Sequence, residues 1–203
     1  MMNLKSPQAR LITNRIVPTV NKLGYQLYSD KLNIVSIRNK IKSNNTFNDS
    51  LFVFWLDNEK RLTRYHRYII TTEPGLPWLL KPLNKKGTAI LKPGQYVDAY
   101  ALGFHGKGSF RHEALIQVGP VEVYRDNNKD EKHDFVGSDK GLFGLNIHRA
   151  SPWFDITEKI DTFSAGCQVF QSKKDFEEFI RICKDSNQER FTYTLIEENQ
   201  LVK

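Results

Sequence analysis

The stretch 141–170, GLFGLNIHRASPWFDITEKIDTFSAGCQVF, holds one histidine and one cysteine in surroundings suited to nucleophilic chemistry. A free thiol is only a few per cent thiolate at neutral pH. An imidazole beside it raises that fraction or takes the proton during attack. Fifteen residues separate His148 from Ser164, which opens a Ser-Ala-Gly-Cys turn of small residues ending at Cys167. Gly166 lets the backbone approach a substrate closely, so the amides of Gly166 and Cys167 are expected to point together at a developing oxyanion. Cys167 is then the candidate nucleophile and His148 the candidate base. The competing view is that Cys167 is a small buried hydrophobe and His148 a satisfied core histidine, since free cysteine is among the most buried residue types.

Order and spacing narrow the chemistry. Papain-like peptidases place Cys before His, and caspase-like enzymes place His roughly fifty residues ahead of a different cysteine motif. A sortase-like site calls for an arginine on a strand soon after the cysteine, whereas Arg181 falls in an expected helix. A zinc peptidase built on His105, His112 or His148 with Asp155 lacks a further histidine, because none follows position 148. No cofactor is therefore expected for catalysis.

His148, a gap of this size, and then Ser164, Gly166 and Cys167 resemble the signature of the L,D-transpeptidase catalytic domain. Similar NIHRAS and SAGCQVF segments point to a bacteriophage type. Turns at 72–75 and 87–90 are also similar to the turn-rich segment that precedes that family's core strands. Two positions depart from the signature: Ala165 stands where a second histidine is usual, and Val169 where Asn or Arg is usual. The resemblance implies an α+β, mainly β fold, a β-sandwich with a late helix, acting on peptidoglycan stem peptides through a thioester. It also implies that a backbone carbonyl can orient the imidazole. Arg149 and Gln168, adjacent to the pair, are expected to contact substrate carboxylates or amides.

The elements that must carry these residues follow from pattern. Runs at 51–56, 65–72, 96–102, 114–118, 121–124 and 191–196 are rich in β-branched and aromatic residues and read as strands, punctuated by Pro and Gly between 74 and 94. Residues 142–148 read as a strand delivering His148 at its end. Phe176, Phe179, Ile180 and Cys183 recur at helical spacing, and Ser172 with Asp175 reads as a capping box, so a helix opens just after the Cys167 turn. Cys183 is thereby assigned to a buried stripe. The glycine-rich GFHGKGS at 103–109 lacks Walker spacing and reads as a hairpin or flap.

The net charge of +7 is concentrated at the start of the chain. Residues 1–42 hold eight Lys or Arg against Asp30 alone, and the remainder is balanced. Ile12, Ile16, Val20 and Leu23 follow helical spacing, with Pro18 as a kink and Gly24 as a stop. Residues 1–45 are therefore read as a basic helical segment and 46–203 as the catalytic domain, with the polar stretch 44–50 between them. The basic segment either docks on an anionic surface or packs its helix on the main domain.

No apolar run approaches the roughly twenty residues needed to span a bilayer. The start of the chain lacks the apolar core of a secretory signal. The expectation is a protein made in the cytoplasm and delivered to the wall or periplasm by a holin, a virion or a secretion system. Hydrophobic residues at 39% supply one good core, and two cysteines cannot form a disulfide scaffold at this length. Finally, Asp126, Asn128, Asp130 and Asp134, with the carbonyl of Lys132, fit a spacing that converges on a structural calcium ion. The alternative for that segment is an acidic polar loop between strands.

Overall fold

The structure, a computed structural model, describes residues 4–40 and 45–203. The continuous apolar run LFVFWL lies in β2 (Asp49–Leu56), which pairs antiparallel with β3 (Leu62–Thr71). Asp57 closes the hairpin, its side chain accepting from the backbone N–H groups of Glu59 and Arg61 at 2.9 Å each. Six further strands complete the sheet: β1 (Asn33–Arg38), β5 (Gly94–His105), β6 (His112–Gln117), β9 (Ile147–Arg149), β10 (Gln168–Phe170) and β11 (Phe191–Glu197). The order β1-β11-β5-β6-β9-β10-β3-β2 returns on itself, so the sheet is a closed barrel. A separate three-stranded sheet holds β4 (Thr88–Leu91), β7 (Val121–Asp126) and β8 (Asp139–Gly141).

The α+β, mainly β expectation holds, and the sandwich is corrected to a barrel. The cause is β1, which pairs with β2 on one side and with β11, in parallel, on the other. It removes the two edges an open sheet would leave. Asn33–Arg38 lies within the segment expected to be helical. Its six residues are all buried, and it is a barrel strand rather than part of an appendage. Thr46 bridges Lys159 in the segment between β9 and β10, and Asp49 and Ser50 at the end of the polar stretch already belong to β2. Residues 41–44 and Lys42 of the basic count lie outside the described residues.

The helical part of the first segment runs as α1 (Pro7–Leu11), a π-helical turn (Ile12–Ile16) and α2 (Val17–Lys22). Pro18 has no N–H to give to the carbonyl four residues back. The wider turn places the Val17 N–H on the Ile12 carbonyl, and the helix continues past the proline instead of breaking. Gly24, at φ 73°, ends it as expected. Ala9 is fully buried, and so are Ile12, Ile16 and Val20, which pack against Val35, Ile37, Phe52, Phe54 and Ile196 of β1, β2 and β11. Each buried Ile or Val there contributes roughly 1.5–3 kcal/mol.

The late helix is α4 (Lys173–Asp185), opened by Ser172, whose hydroxyl accepts from the Asp175 N–H at 3.2 Å. Its stripe of Phe176, Phe179, Ile180 and Cys183 packs into the main core with Tyr68, Phe170 and Leu115. Arg38 is fully buried and ties the barrel to the small sheet. Its guanidinium donates to the Thr72 hydroxyl (2.8 Å), to the carbonyls of Thr72 (2.9 Å) and Leu91 (2.8 Å), and to Glu197 (3.2 Å). No helix among the described residues is long and apolar enough to cross a membrane.

Candidate active site

β9 and β10 lie side by side in parallel, with His148 opposite Val169 and Arg149 opposite Phe170. Opposed residues on neighbouring strands share a face, and successive residues alternate faces. His148, Val169 and, two residues earlier, Cys167 therefore belong to one side. Cys167 and Val169 share a small cluster with Phe47, Ala150 and Ile160. Gln168 and Phe170 turn to the other side. Strand register thus places the expected pair on one side of the sheet, and both residues line one cleft of about 530 Å³, with His105, Ala165, Gly144 and Leu145. Of residues 142–148, expected as one strand, only the end is strand, and it carries His148 as expected.

The hydrogen bonds assign the imidazoles. His148 Nδ1 lies 2.7 Å from the Arg149 carbonyl, an acceptor, so Nδ1 carries the proton. Nε2 is left with its lone pair, buried and without a partner. That is the tautomer a general base needs, oriented by a backbone carbonyl. His105, from the end of β5, stacks on His148 with ring centroids 3.8 Å apart. Asn146 fixes its state: the side-chain oxygen of Asn146 accepts the Gln117 N–H at 2.9 Å, so its amide nitrogen donates to His105 Nδ1 at 3.0 Å. His105 is therefore protonated on Nε2. Burial lowers the pKa of His148 well below its ordinary value, with His105 as the next cause. Burial also lowers His105, to about 4, helped by His112 and Arg149.

Cys167 is 8% exposed, and burial pushes its thiol up to about 11 against a smaller opposing effect of the Asn146 backbone. The sulfur sits 3.5 Å from the Gly144 carbonyl. Thiol and imidazole are thus both neutral here, so any nucleophilic use of this thiol would require its proton to leave during the attack. Ser164 is buried and holds the turn, donating to the Cys167 carbonyl (2.9 Å) and accepting the Gly166 N–H (3.1 Å). The Gly166 amide is therefore taken, which corrects its expected place beside Cys167 as an oxyanion donor. Gly166 has φ 121°, and a Cβ there would collide with the Ala89 carbonyl.

The two neighbours expected to touch substrate go elsewhere. Gln168 is fully buried, accepting from the Tyr193 hydroxyl at 3.1 Å and donating to the Gly166 carbonyl at 3.2 Å, so it is scaffold. Arg149 opens into a second cleft beside α4 and not into the thiol cleft. His105 and Asn146 are the site residues that sequence reasoning missed. The one available signal was His105 in the hairpin with His112, which pair directly across β5 and β6.

In the loop considered for calcium, Asn128 donates to both Asp130 (3.0 Å) and Asp134 (2.6 Å). Asp130 accepts the Lys132 N–H at 2.7 Å, and Asp126 accepts the Asp134 N–H at 2.8 Å, with its other oxygen buried and unpartnered. The loop is closed by its own donors. Among the described residues no group of three or more His, Cys, Asp or Glu side chains is arranged to hold a metal ion.

The resemblance to the L,D-transpeptidase signature is specific at His148, Ser164, Gly166 and Cys167 and loose elsewhere. No family model matches this chain, and no curated protein or solved structure matches it significantly, so the chemistry of the cleft is argued from its geometry.

Proposed function

We propose that the protein is a cysteine acyl-transfer enzyme similar to L,D-transpeptidases, acting on peptidoglycan stem peptides. The observation that carries the reading is the shared cleft: Cys167 and His148 both line it, and the Nε2 lone pair of His148 is buried and unpartnered. Cys167 Sγ attacks a peptide carbonyl carbon while its proton passes to His148 Nε2, and the developing oxyanion is met by the Cys167 amide. Collapse breaks the C–N bond, and His148 returns the proton to the leaving amine. The thioester is then resolved by water, giving cleavage, or by an acceptor amine, giving a new peptide bond. A lytic outcome suits delivery by a holin, virion or secretion system. The exposed Arg10 of α1 and Lys22 of α2 are proposed to meet an anionic surface, and any calcium in the 126–134 loop would be structural.

A second reading is a virion-structural or cell-wall-binding protein that keeps this fold without catalysis. The 8% exposure of Cys167 and its raised pKa favour it. Mass spectrometry of peptidoglycan fragments after incubation with wild type and Cys167→Ala separates the two. Cleaved or exchanged stem peptides with wild type alone support the enzyme; identical fragment patterns from several wall types support the binding protein.

A further inference from the structure

On the opposite face of β9 from His148, a second cleft of about 440 Å³ lies between the strand and α4. Its cations are Arg149, Lys173, Arg181 and Lys184, and its carboxylates are Glu113 and Glu177. Lys184 and Glu113 satisfy each other at 2.7 Å, at half-exposed positions. Arg181 leans toward Glu178 at 4.0 Å.

Arg149 is the anomaly. It is partly buried, its side chain makes no hydrogen bond or ion pair among the described residues, and its Nη1 is buried without an acceptor. A guanidinium withdrawn from water normally gains a carboxylate or carbonyl in exchange, because an uncompensated buried charge is costly. Glu177, the carboxylate nearest in effect, is exposed and does not bond it. Lys173, in the first turn of α4 and half-buried, likewise has no ion-pair partner among the described residues. Beneath these cations the floor is apolar, formed by Pro152, Phe176 and Ile180.

We propose that this cleft is a binding site for a carboxylate attached to an apolar body, such as the carboxyl-terminal residue of a peptide. Arg149 and Lys173 hold the carboxylate, and the Phe176–Ile180 floor takes the side chain. Arg is suited to this task because its planar fork matches both oxygens of a carboxylate. The inference stands on the geometry of this cleft and does not depend on catalysis by Cys167. It also gives Arg149 a substrate-like ligand on the side of the strand away from the thiol.

The test is a titration of the full chain with N-acetyl-L-phenylalanine, followed by amide NMR, with N-acetyl-L-phenylalaninamide as the uncharged twin. The acid is expected to shift Arg149, Lys173, Phe176 and Ile180 resonances, and the amide to bind at least tenfold more weakly. Arg149→Gln should weaken the acid at least tenfold, Lys173→Gln several-fold, and Cys167→Ala should bind like wild type. Equal binding of acid and amide, shifts centred elsewhere, or no shift at all would overturn the site. So would unchanged affinity in both the Arg149 and Lys173 variants. If Arg149→Gln fails to fold, the acid–amide comparison and Lys173→Gln decide.

Discussion

The imidazole rings of His105 and His148 lie parallel within 13°, with centroids 3.8 Å apart. Two rings in that contact cannot both carry charge near neutral pH, and both are held neutral by burial before any mutual effect. Burial is the first cause of the neutral state of His148, and His105, 43 positions earlier in the chain, is the second.

Stability should fall in mild acid as a consequence. Both folded pKa values are depressed below 6.5, so the unfolded chain binds protons that the folded protein refuses. The stabilisation is complete above pH 6.5 and is lost as pH falls, over the window from 6.5 to about 4 for His105. For the buried His148 the slope approaches about 1.4 kcal/mol per pH unit. Urea melts at a series of pH values should show this slope in wild type and a shallower one in His148→Gln. Equal slopes would contradict a neutral buried His148.

Removing the stacked partner should change the base without removing it. His105→Gln takes away the second-largest cause of the low His148 pKa, so proton uptake by His148 should begin at higher pH. NMR titration of the imidazole nitrogens reads this directly. Under the proposed reaction the acid limb of the rate profile moves upward by the same amount, whereas a merely structural role for His105 would lower activity without moving the limb.

The free thiol should react slowly. With a pKa pushed to about 11, Cys167 is expected to alkylate with iodoacetamide at neutral pH more slowly than a free cysteine, and faster as pH rises toward that value. A fast reaction with a midpoint near neutrality would show a preformed thiolate that the resting geometry does not contain.

Gly166→Ala should unfold or distort the turn. The substitution combines a left-handed φ with a collision against the Ala89 carbonyl, and should cost roughly 3 kcal/mol or more. Arg38→Met should cost about 3–5 kcal/mol, because it strands Glu197, Thr72 and the buried Asp49 that braces Thr72 at 2.7 Å. Denaturant melts measure both, and near-neutral values would contradict the assigned contacts.

How much was legible beforehand follows from what is local. The α4 stripe and its Ser172 cap, the strands β2 and β3 and the placement of His148 on a strand all depend on neighbours in sequence. Barrel closure depends on β1 meeting β11 in parallel across more than 150 residues, which no local pattern records. The stacking of His105 on His148 is hidden for the same reason. Gln168 adjoins Cys167 in sequence yet has no access to the thiol cleft, because the next residue along a strand faces the opposite side. Arg149, one step from the base, was subject to the same alternation.

The most direct test of the central claim is the intact mass of the protein quenched in acid during reaction with a purified stem peptide. The account predicts a population of wild-type chains heavier by the acyl portion of the peptide, localised to Cys167 and labile to hydroxylamine, with none in Cys167→Ala and a strongly reduced amount in His148→Gln. An unmodified Cys167 in a sample that is visibly forming products would contradict the thioester, and the absence of both adduct and products on peptides from several wall types would contradict the enzyme.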